Sequence, residues 1–97
     1  MKISKNEIML QVNILKEGDT YVAHAPALDL SSCGKTMAEA ERNFQAALDL
    51  FMEELKEMGT LDEVLLELGW QRCASPKHGW IPPNLLKTQI KVHFPRL

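Results

Sequence analysis

The stretch YVAHAPALDLSSCGKTMAEAERNF, Tyr21 to Phe44, passes from strand to corner to strand to helix without a linker. Tyr21 to Ala25 reads as a strand, and Pro26 ends its ladder because proline has no N–H to donate. Leu28 to Cys33 reads as a second short strand, closed by Gly34. From Thr36 the apolar period becomes helical, with Met37, Ala40, Phe44, Ala47, Leu48, Phe51, Leu55 and Met58 on one stripe. Thr36 and Glu39 form a capping box, and Gly59 suits the left-handed residue that closes a helix. The predicted helix is about twenty-two residues and roughly 33 Å long. It is long enough to cross one face of a small sheet.

Upstream, Ile8, Leu10, Val12 and Ile14 alternate with their neighbours in the period-two pattern of a strand. Glu17-Gly18-Asp19 supplies the turn of a hairpin with Tyr21 to Ala25. Downstream, Thr60 and Glu63 repeat the capping signal, which predicts a short second helix over Leu61 to Leu68, ending at Gly69. Trp70 to Ala74 and Trp80-Ile81 read as short strands around the turn Ser75 to Gly79. Pro82-Pro83 interrupts regular structure, and Thr88 to Phe94 alternates again as an edge strand ending at Pro95. The expected fold class is α+β: a three-stranded antiparallel start, a long helix on one sheet face, a short second helix and one or more C-terminal strands.

Residues 1–97 suit a single domain, and 45% apolar content can build one core. The net charge of −2 comes from mixed signs, so no basic field advertises nucleic-acid binding. The N-terminal apolar run is too short and interrupted for a signal peptide or membrane span, which points to the cytoplasm. Cys33 and Cys73 lie far apart, and His24, His78 and His93 are scattered. Metal sites need ligands in local pairs, so neither a metal nor another cofactor is expected.

His24, Asp29, Ser31, Ser32 and Cys33 crowd one corner. A nucleophile needs a base within hydrogen-bond reach and a third group orienting that base. His24, Asp29 and Ser32 could be imagined in those roles, but no nucleophile elbow is present and all three residue types are ordinary in turns. A two-cation nuclease on such strands would need converging carboxylates. The first strand offers the neutral amides Gln11 and Asn13 at its middle, with Glu7 only at its start. No catalysis is expected.

Met9, Leu15 and Val22 fall on the strand positions opposite the helix, and the edge strands lack evident partners. Uncovered apolar sheet predicts a homo-oligomer, with Ile90, Val92 and Phe94 of the terminal strand as its interface. Lys87, Lys91, His93 and Arg96 make that segment mildly basic, the usual character of a solvated edge.

YVAHAPAL, SSCGKT and TMAEAERNFQAALDLF, in this order and spacing, resemble the HicB-type antitoxin family over about a third of the chain. Trp70 and the WIPP run are similar, more loosely, to short members. The resemblance implies a degraded ribonuclease H-like fold without catalysis. It also implies a protein that neutralises a small HicA-type ribonuclease toxin by covering its active surface. Many members add a C-terminal DNA-binding unit, but the residues after Gly69 show no two-helix pattern, so DNA binding is not expected. An antitoxin must occlude a basic surface, which makes Glu39, Asp49, Glu53 and Glu57 on the long helix the expected partner-binding residues. The alternative is a stand-alone oligomeric domain of the same fold that has no toxin and binds nucleic acid or a small ligand.

Overall fold

The structure is a computed structural model and describes residues 8–72 and 79–95. Strands β1 (Asn13–Glu17), β2 (Thr20–Ala25) and β3 (Leu30–Gly34) form an antiparallel sheet in the order β1-β2-β3. Helix α1 (Met37–Met58) crosses one face, followed by α2 (Leu61–Glu67) and a two-stranded ribbon of β4 (Gln71–Arg72) and β5 (Trp80–Ile81). The α+β class is therefore as expected. Among the described residues, no helix is long and apolar enough to cross a membrane.

The long helix begins and ends where its chemistry dictates. Thr36 is extended, and its hydroxyl accepts from the Glu39 N–H at 3.0 Å. Gly59 takes φ 70°, and Thr60 N–H reaches back to the Leu55 carbonyl, closing the last turn. One core cluster is formed by Ala23, Ala25, Ala40 and Phe44. The other contains Ala27, Leu28, Leu65 and Trp70. Small residues at the first contact let α1 approach the sheet closely. At Gly34 there is no room for a side chain: a Cβ there would lie 2.5 Å from the Ala40 nitrogen. Trp70, brought back by the turn after α2, donates its indole N–H to the Ala27 carbonyl at 2.7 Å. That buried bond ties the second half of the chain to the corner after Pro26.

Four expectations are corrected. The first strand is shorter, starting at Asn13 opposite His24. Residues 11 and 12 would lie opposite Pro26 and Ala25, where β2 ends and the corner begins, so their alternation reflects burial under α1 without pairing. The third strand starts at Leu30, because Leu28 N–H and Asp29 N–H turn back to the Ala25 and Pro26 carbonyls. The second capping box is absent: Thr60 has ψ 5°, and its buried hydroxyl has no partner. Its backbone also closes α1, which denies Thr60 the extended geometry that a capping hydroxyl needs.

The fourth correction concerns Thr88 to Phe94, which form no strand. No neighbouring strand supplies ladder bonds, and Asn84 to Pro95 run exposed as an arm beyond Pro82-Pro83. The second helix agrees within a residue, with Leu68 as its cap. Cys73, Ala74 and the turn residues Ser75 to His78 lie outside the described residues, as do Glu7 and Arg96.

Candidate functional site

The polar corner does not bring His24, Asp29 and Ser32 together. His24 Nε2 lies 3.5 Å from Asp29 Oδ1, and Asp29 holds the left-handed φ of 50° at the corner. Register places Ser31 opposite His24, while Ser32 lies opposite Ala23. Side chains alternate across a strand, so Ser32 shares the helix-facing side and His24 the outer side. The imagined nucleophile and base are thus on opposite faces. Among the described residues, no His, Cys, Asp and Glu grouping could hold a metal ion. Across the outer face run the rows Asn13-His24-Ser31 and Leu15-Val22-Cys33, with Leu15 and Cys33 exposed.

Helix α1 carries six carboxylates against two cations, Arg42 and Lys56. At about 100° per residue, Asp49, Glu53 and Glu57 occupy an arc of about 80° away from the core stripe, with Glu39 at its margin. Asp49, Glu53 and Glu57 are exposed, whereas Glu39 is half-buried over the close contact with Gly34. Arg42 lies in the same arc and partly offsets the charge at its N-terminal end. The acidic character is strongest toward the C-terminal half. Gln45 donates to Asp49 Oδ1 at 2.9 Å, holding that carboxylate one turn along the helix.

A second feature is an open groove of about 970 Å³ between α1 and the segment leading into β1. Leu10, Val12 and Ile14 form one apolar wall and Phe44 and Leu48 the other. Glu41, Gln45 and Asp49 stand at its rim, and among the described residues no lysine or arginine lines it. The groove wall runs into the start of β1, which among the described residues is an edge strand with β2 on one side. The opposite edge, β3, is better guarded. Asn43 on α1 donates to the Cys33 carbonyl at 2.8 Å, and the first helical turn lies against Gly34.

Ile90, Val92 and Phe94, expected at an interface, are 80%, 69% and 89% exposed and belong neither to the core clusters nor to the groove lining. The four acidic residues and these three apolar ones therefore form separate surfaces. Composition foresaw open edges but not the groove, because it depends on where β2 stops. The Glu41 and Asp49 rim is legible only once the helix is docked. Comparison with protein-family models, with characterised proteins and with solved structures finds no match to this chain.

Proposed function

We propose that the protein is a HicB-type antitoxin, a binding protein that neutralises a small HicA-type ribonuclease by covering its RNA-cleaving surface. The observation that carries this reading is the exposed acidic arc of Asp49, Glu53 and Glu57 on a helix capped at both ends. An RNA-cleaving surface is basic, and carboxylates fixed on a rigid element steer and match it better than carboxylates on loops. The order of hairpin, third strand and long helix suits a degraded ribonuclease H-like domain in which chemistry has given way to binding. The separation of His24 from Ser32 across the sheet supports binding without hydrolysis. The proposed setting is the cytoplasm, where Cys33 and Cys73 would remain reduced.

Co-expression with a HicA-type toxin tests the proposal. The native chain should restore growth, and Glu53→Lys combined with Glu57→Lys, both outside the groove, should weaken that protection while leaving helix content unchanged. Protection retained by the folded double variant would remove the acidic arc from the interface. Failure of the native chain to bind or neutralise such a toxin would favour the second reading, a toxin-free oligomeric domain. The exposed apolar arm is the observation that favours that reading.

A further inference from the structure

We infer that the arm Thr88–Phe94 of one chain docks into the groove between α1 and residues Ile8–Ile14 of a second copy, giving a reciprocal arm-exchanged dimer. The groove wall runs from Ile8 to Ile14 and the arm segment from Thr88 to Phe94, so each spans about 20 Å when extended. Their apolar residues alternate in the same way: Leu10, Val12 and Ile14 in the wall, and Ile90, Val92 and Phe94 in the arm. An extended arm beside residues 8–12, which have no ladder partner among the described residues, gains main-chain hydrogen bonds there and places alternate side chains in the apolar groove.

Charge favours this occupant. From Asn84 to Pro95 the chain contains Lys87 and Lys91 and no carboxylate, whereas the groove rim contains Glu41 and Asp49 and, among the described residues, no lysine or arginine. The arm leaves the body at Pro82-Pro83, whose fixed φ values stiffen the exit. In the single chain the groove stays open although its own arm is present. A two-fold exchange fills both grooves with one set of contacts and requires no new interface chemistry. It also covers Ile90, Val92 and Phe94, which belong to an extended apolar stretch of a kind rarely left bare.

Sedimentation velocity of the full-length native chain at micromolar concentration tests this without any toxin, so its outcome is separate from that of the proposed function. A dimer is expected. Ile90→Glu with Phe94→Glu should give a folded monomer, since both side chains are exposed in the single chain. Glu41→Lys with Asp49→Lys should weaken association about tenfold, as should Lys87→Glu with Lys91→Glu. All four changes in one chain should restore it. Circular dichroism of every variant must show an intact helix.

A native monomer would overturn the inference, as would a dimer that survives the Ile90 and Phe94 changes. Failure of the fourfold charge exchange to restore association would overturn the pairing of arm with groove. Hydrogen-exchange protection of Thr88–Phe94 in a dilute monomer would show the arm closing on its own chain, and would overturn it too.

Discussion

Replacing Gly34 by alanine tests the tight contact between the first turn of α1 and the end of β3. Gly34 does not have a positive φ, so alanine meets no conformational penalty there and any cost is steric. The added Cβ would lie 2.5 Å from the Ala40 nitrogen and 2.8 Å from the Glu39 carbonyl carbon. Carbon contacts normally settle near 3.5 Å, so the first turn of α1 must retreat by about 1 Å. Such overpacking costs about 1–3 kcal/mol. Losing the glycine's unfolded-state freedom returns about 0.4–1 kcal/mol.

The expected net loss at Gly34 is about 1–2 kcal/mol, or a fall in Tm of about 4–16 °C for a domain of this size. Thermal denaturation followed by circular dichroism measures it. The nearest clashing atoms are backbone, so adding Ala40→Gly should not rescue the variant. A Tm at or above the native value for Gly34→Ala would refute the close-approach argument. Rescue by Ala40→Gly would show that the obstruction is the alanine methyl.

Three further variants probe individual polar groups. Thr36→Ala should cost about 1 kcal/mol in urea denaturation, as loss of a helix cap does, whereas Thr60→Val should be neutral or stabilising because it removes a buried hydroxyl without a partner. Trp70→Phe should cost about 1–3 kcal/mol by leaving the Ala27 carbonyl unsatisfied, seen as a lower urea midpoint.

The bounds of helix α1 were legible because its signals are local and agree: a capping threonine, an apolar stripe and a closing glycine, although the return bond of the expected capping box, from Thr36 N–H to the Glu39 carboxylate, is not made. The strands were legible as existing but not in extent. Alternation at Leu10, Val12 and Ile14 reports one-sided burial, and only Ile14 also has a ladder partner. The same pattern at Ile90, Val92 and Phe94 has no neighbour to pair with, so it yields an exposed arm. Thr60 shows the limit of motif reading. One residue cannot both close α1 and cap α2, and the closing bond to Leu55 wins. The Trp70 to Ala27 bond joins residues 43 positions apart, a distance at which no periodicity speaks.

The acidic arc and the groove share one residue, and that overlap decides how their roles can be separated. Asp49 belongs to the arc and to the groove rim, while Glu53 and Glu57 do not line the groove and Glu41 lies at its rim. A change at Asp49 alone would therefore disturb both arm exchange and toxin binding. Glu53→Lys with Glu57→Lys should weaken neutralisation and leave the sedimentation coefficient unchanged. Glu41→Lys should weaken self-association first. If both pairs of readouts moved together, the two surfaces would be one, and the dimer would itself be the toxin-binding form. If they moved apart, an exchanged dimer could present two acidic arcs at once, and a second linked contact raises overall affinity without any new side-chain chemistry.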